Sequence, residues 1–173
     1  MTTADQLRLR IREIPDYPKP GILFKDITPL LGDPAAWRVA CEAMSTPWQG
    51  AGITHVVAVE SRGFLFGGAI ADRLGAGLVP VRKPGKLPYD RSREEYALEY
   101  GTDALEMHVD AVGPGARVLI VDDVLATGGT AAATLRLVER HGAEVVGCGF
   151  LIELSFLGGR AALGRRVERV IEY

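Results

Sequence analysis

Cysteine is scarce in this 173-residue chain: only Cys41 and Cys148 occur, and they lie far apart. A chain of this length buries roughly 70% of its unfolded surface in one core without covalent staples, so both are expected as buried, reduced thiols. Long hydrophobic runs are also missing, none approaching the roughly 18 residues that span a bilayer, and the first residues carry no apolar signal core. The expectation is a cytoplasmic protein without a membrane role. Charge of one sign is not in excess: 20 Lys and Arg face 22 Asp and Glu, a formal net charge of −2, with a sequence pI near 5.9. No global field draws a polyanion, so nucleic acid is not the expected partner and any phosphate site must be a local cluster. His55, His108 and His141 show no metal-ligand spacing with one another or with the cysteines, so no structural zinc is expected. Internal repeats and low-complexity segments are absent.

What is present is the composition of a globular protein, 47% hydrophobic and 24% charged, expected as one domain over residues 1–173. Leu7, Ile11 and Ile14 recur at helical spacing and predict an amphipathic first helix, broken by the prolines from Pro15 to Pro20. Asp33-Pro34 supplies an N-cap and a first-turn proline for a second helix reaching roughly Met44, with Trp37 and Trp48 as packing residues. Short β-rich runs follow at His55–Val59, Leu78–Val81, Val118–Val121 and Val145–Leu154, with helical patterns at Phe64–Leu74 and from Gly129 to about Arg140. These strands are apolar throughout, so the fold class is α/β: a twisted, mainly parallel sheet flanked by helices. Ligands of such sheets bind at the carboxyl ends of the strands. Polar loops sit at three such ends, Glu60–Gly63, Arg82–Lys86 and Asp122–Thr130, and the proline-bearing stretch 84–102 reads as a functional loop or hairpin flap.

Val118–Thr130 (VLIVDDVLATGGT) carries the strongest chemical signal. Asp122 and Asp123 leave a buried strand side by side, so their charges oppose each other unless a cation or hydroxyl donors intervene. Ala126-Thr127-Gly128-Gly129-Thr130 then turns into a helix, offering unpaired backbone N–H groups, two hydroxyls and a helix N-terminus to one space. That is an anion site. The plainer alternative is a strand-to-helix turn with threonine as the cap and solvated aspartates. The glycine spacing fits neither the nucleotide P-loop nor the dinucleotide fingerprint, and suits a diol beside a monophosphate better than a triphosphate.

An apolar run, Asp-Asp, two residues and Ala-Thr-Gly-Gly-Thr resembles the phosphoribosyl pyrophosphate motif of the type I phosphoribosyltransferases. Phe24–Leu31 (FKDITPLL), Glu60–Gly67 (ESRGFLFG), Arg82–Pro88 (RKPGKLP) and Leu98–Gly101 (LEYG) resemble the adenine-specific branch of that family, so the likeness covers nearly the whole chain. The resemblance implies transfer of a 5-phosphoribosyl group from phosphoribosyl pyrophosphate to adenine, giving AMP and pyrophosphate, with magnesium held by the substrate. It implies that Asp122 and Asp123 hold the ribose hydroxyls and that Ala126–Thr130 hold the 5-phosphate. Ser61, Arg62, Arg82, Lys83 and Lys86 would meet the pyrophosphate, where cations at strand ends can stabilise a leaving anion. Leu23, Phe24 and Lys25, in a hood formed by residues 1–32, would meet adenine from one side and Leu154 from the other. Glu99 would be the acid/base group, carried within a flap at 84–102 that excludes water, with Arg62 beside the reacting centre and Tyr100 supporting closure. Glu94, Glu95 and Glu106 are read as surface charge. A homodimer is implied too.

Two other readings stay open. Another nucleobase transferase, for xanthine or orotate, would share the donor motif. A non-catalytic phosphoribosyl-binding regulator would need a DNA-reading domain or a basic RNA-binding face, and neither this length nor this pI supplies one.

Overall fold

Strand and helix alternate much as the apolar periodicity predicts, because each apolar strand needs cover on both faces. The computed structural model describes residues 2–97 and 101–173. In chain order these form α1 (Thr3–Arg8), β1 (Arg12–Pro15), β2 (Leu23–Asp26), α2 (Thr28–Gly32), α3 (Pro34–Ser45), β3 (His55–Val59), α4 (Gly63–Leu74) and β4 (Gly77–Val81). β5 (Arg91–Ala97), β6 (Thr102–His108), β7 (Arg117–Leu125), α5 (Gly129–Arg140), β8 (Glu144–Glu153) and β9 (Arg166–Glu172) follow. Asp33 caps α3 as its sequence position requires, its carboxylate accepting from the amides of Ala35 and Ala36.

A five-stranded sheet in the order β4-β3-β7-β8-β9 forms the centre, and every pairing in it is parallel. Helix α5 and the β5–β6 hairpin cover one face, where Leu105, Met107, Leu137 and Val138 pack on Val57, Ile120 and Phe150. On the other face, Leu7, Cys41, Met44, Phe66 and Ile70 from α1, α3 and α4 pack on Val56, Leu119 and Val121. Trp48 is buried there too, and Trp37 lies 5.0 Å from the Phe66 ring. Among the described residues no helix is long and apolar enough to cross a membrane.

Three strand pairings are added that apolar periodicity does not signal. The first helix stops at Arg8, because residues 12–15 pair antiparallel with 23–26 instead of continuing it. The polar stretch around residue 90 is one arm of a hairpin whose return arm runs on to His108 and buries Leu105 and Met107. Arg166–Glu172, unassigned by pattern, adds a parallel edge strand to β8.

Burial pushes the Cys41 thiol up to about 11 and the Cys148 thiol up to about 12. At pH 8 the folded protein is expected to leave a thiol-reactive chromophore unconsumed, whereas both thiols react after unfolding in guanidinium. A thiol that titrates in the native state would contradict this burial.

Candidate active site

The site exists because β7 outruns β3. Pairing between them ends at Ala58 with Val121, while β8 supports β7 as far as Leu125. The strand is therefore longer than its apolar run, and Asp122 and Asp123 lie inside it with the β3 side open. Asp123 is buried, 5% exposed, and accepts a hydrogen bond from Nε of Arg62. Asp122 takes the amide of Asp123 at 2.8 Å. Burial, then the adjacent charge of Asp123, push its carboxyl well above the usual carboxylate range. Gly63 permits this closeness, since a Cβ there would lie 2.8 Å from Oδ1 of Asp122. The Glu60–Ser61 peptide just before Arg62 is cis.

Beyond Leu125 the chain turns through Ala126, Thr127 and Gly128 into α5. Gly128 takes φ +85°, and no side chain caps the helix, so threonine does not serve as the cap. The first amides of α5 thus lack a side-chain acceptor, as an anion site requires. Thr130 offers its hydroxyl to the Tyr96 hydroxyl at 3.4 Å, which ties the turn to the hairpin.

A cleft of about 420 Å³ collects most of the expected site. Leu23, Phe24, Lys25, Ser61, Arg62, Lys83, Asp122, Asp123, Ala126, Thr130 and Leu154 line it, joined by Ile22, Glu60 and Val124. A smaller recess shares Asp122, Ala126 and Thr130 with it and adds Thr127, Gly128 and Gly129. Arg82 and Lys86 stand behind Glu60, outside the lining. Glu99 and Tyr100 lie outside the described residues.

The cations are not free. Arg62 pairs with Asp123 and Lys83 with Asp103, while Arg82 and Lys86 both pair with Glu60. Glu60 also takes the Lys83 amide at 3.0 Å. Burial alone would raise its pKa, but Lys86, the Lys83 amide and Arg82 together hold it near 2. The sequence placed Glu60 in a polar loop at a strand end without giving it a role; it follows the apolar run of β3 as Asp122 follows that of β7. Glu106, read as surface charge, is instead buried: it accepts the Gly85 amide at 2.9 Å and faces Arg91. Glu94 pairs with Arg136 and Arg140 of α5, and Glu95 stays exposed.

On the apolar side, Phe24 stacks edge-on against Tyr17 at 5.1 Å and lies 6.0 Å below the Arg62 guanidinium. The Lys25 ammonium pairs with Glu13 and sits 3.9 Å over the Tyr173 ring. Its side chain is thereby occupied, and Lys25 lines the cleft together with Leu23.

The parallel sheet carries paired aspartates and an uncapped glycine turn at one strand end, chemistry suited to a diol beside a phosphate. The family model for the phosphoribosyl transferase domain matches residues 39–163. An adenine phosphoribosyltransferase of Methylococcus capsulatus is 58% identical over 170 residues, covering 98% of this chain and 99% of its own. The crystal structure of adenine phosphoribosyltransferase from Rhodothermus marinus superposes with TM-score 0.94 at 58% identity, over 99% of this chain and 98% of that one. The Saccharomyces cerevisiae enzyme, complexed with an imino-altritol bisphosphate and adenine, superposes with TM-score 0.93 at 41% identity, over 97% and 98%. The chain belongs to the phosphoribosyltransferase family, among its adenine phosphoribosyltransferases.

Asp122→Asn is expected to raise the stability of the ligand-free protein by about 1 kcal/mol, or roughly 2–4 °C in Tm. Asparagine keeps the acceptor for the Asp123 amide and removes the opposed charge. The sign with pH follows from the raised folded pKa of Asp122: stability from the protonated form is complete below the unfolded value, about 4, and is lost as pH rises through the folded value. The gain should therefore be small at acid pH and grow towards neutrality in thermal melts. A variant less stable than the parent at pH 7 would refute the burial of charge at this position.

Proposed function

We infer that the chain transfers the 5-phosphoribosyl group of phosphoribosyl pyrophosphate to adenine, forming AMP and releasing pyrophosphate, a reaction of purine salvage. The observation that carries it is the convergence on one cleft of the two aspartates, the uncapped turn and the apolar wall of Leu23, Phe24 and Leu154.

In this reading Asp122 and Asp123 accept the ribose 2- and 3-hydroxyls, and the amides and hydroxyls of Ala126, Thr127, Gly128, Gly129 and Thr130 hold the 5-phosphate. Adenine lies between Phe24 and Leu154, with the backbone of Leu23 and Lys25 reading its polar edge. Ser61, Arg62 and Lys83 meet the pyrophosphate inside the cleft, with Arg82 and Lys86 behind Glu60 supplying further charge. Fixed positive charge beside the leaving group stabilises the anion as the glycosidic bond breaks. Glu99 is assigned to the proton on the purine imidazole, and residues 84–102 to a flap that excludes water from the reacting sugar. Residues 1–32 form the hood of a single domain.

Magnesium fits as an ion carried by the substrate, offsetting the charge of the diphosphate. Among the described residues no group of three or more His, Cys, Asp or Glu is placed to hold a metal ion, and Asp123 is already engaged by Arg62. A homodimer in the cytoplasm completes the reading. Leu65 on α4 and Leu78 on the edge strand β4 are nearly half exposed, apolar surface of the kind a second copy covers.

Incubation with magnesium, phosphoribosyl pyrophosphate and each of adenine, guanine, hypoxanthine, xanthine and orotate should give nucleotide from adenine alone; absence of AMP would overturn the assignment. Replacing both Asp122 and Asp123 by Asn should raise KM for phosphoribosyl pyrophosphate by about tenfold or more, whereas Glu99→Ala should lower kcat roughly a hundredfold with less effect on KM. Unchanged kcat in the second variant would remove Glu99 from the chemistry.

A further inference from the structure

The turn Ala126–Gly129 is backed by another backbone, without side chains between them. A Cβ on Gly128 would lie 2.5 Å from the Gly159 carbonyl oxygen, and a Cβ on Gly159 would lie 2.2 Å from the Ala126 carbonyl oxygen and 2.8 Å from the Gly128 nitrogen. Such distances leave no room for any residue but glycine on either side. The next residue, Arg160, is fixed by three hydrogen bonds. Arg160 donates from Nε to Glu153 Oε1 at 3.0 Å, from one terminal nitrogen to Oε2 at 2.6 Å, and from the other to the Val167 carbonyl at 2.8 Å. This is the forked geometry in which a guanidinium holds a carboxylate most rigidly.

Glu153 is itself fixed. It is 5% exposed, ends β8 in register with Leu125 of β7 and Glu172 of β9, and takes a second guanidinium, Nε of Arg169, at 2.9 Å. The sheet thus grips Glu153, Glu153 grips Arg160, and Arg160 presses Gly159 onto the turn. We infer that Glu153 and Arg160 are positioning residues for the 5-phosphate, acting through Gly159 on the amides of Ala126–Gly129. The inference rests on the phosphate assignment of that turn. It gives the helix N-terminus, which has no side-chain cap, a rigid rear wall in place of one.

Calorimetric titration of the full-length protein with ribose 5-phosphate tests this without the transfer reaction. Arg160→Met leaves Glu153 paired with Arg169, so the fold is expected to survive. Its affinity for ribose 5-phosphate should fall about tenfold or more, since small misplacements of binding groups are costly. Arg160→Lys should recover only part, because an ammonium lacks the fork. In the transfer assay, KM for phosphoribosyl pyrophosphate should rise while KM for adenine moves by less than about twofold. Ribose 5-phosphate affinity unchanged from the parent, or an equal rise in both KM values, would overturn the proposal. If Arg160→Met does not fold, Gly159→Ala probes the same contact with the ion pair intact, and retained affinity in that variant overturns it equally. A parent protein that makes no AMP but shows this affinity pattern would defeat the adenine assignment and leave the brace standing.

Discussion

Two carboxylates on consecutive residues at the end of a buried strand are the constraint around which the rest is arranged. Left alone, the pair would be driven to give up a charge, and the protein divides the problem in two. Asp123 pairs with Arg62, which arrives from the loop after β3, while Asp122 is left with a carboxyl that burial and its neighbour push towards the protonated form. That arrangement requires β3 to stop short of β7, so that the loop after β3 can fold across the exposed end. It also requires Gly63, because any side chain there would strike Asp122. The paired aspartates are therefore held at the expense of stability, as active-site groups often are.

The same logic governs the cations. A cluster of positive charge awaiting a diphosphate would repel itself, and here each member has a carboxylate: Asp123 for Arg62, Glu60 for Arg82 and Lys86, Asp103 for Lys83. The site is assembled in a nearly neutral state, in keeping with a chain whose formal charge is −2. A polyanion then meets side chains already ordered and has less conformational entropy to remove than at a loose basic patch. Tyr96 connects this network to the turn, its hydroxyl within 3.4 Å of Thr130 and 3.3 Å of the Lys83 ammonium. The hairpin, the turn before α5 and the Lys83 loop therefore meet at one phenol.

Much of the fold was legible from local pattern. Asp33-Pro34 opened α3, His55–Val59 formed a strand over those residues, and the helix from Gly129 ended at Arg140 as its helical pattern indicated. The misses were elements whose stability is not local. β1 and β2 are four residues each and exist only as partners; Ile14 continues the helical period of Leu7 and Ile11 but pairs with Phe24 instead. Glu106 looked like one acid among several, and only the fold buries it beside Gly85 and Arg91.

By itself the sequence determined the parallel sheet and the chemistry at the end of its central strand. An apolar run can be satisfied only inside, and Asp-Asp followed by a glycine turn must then emerge together at the strand's carboxyl end. Tertiary structure decided which charges face each other and what stands behind the turn. Arg62 and Asp123 are 61 residues apart, and Gly159 and Arg160, which meet Glu153 at the end of β8, come from a segment with no periodic signal. Pairing of that kind depends on where distant strands end, which no local window of residues encodes.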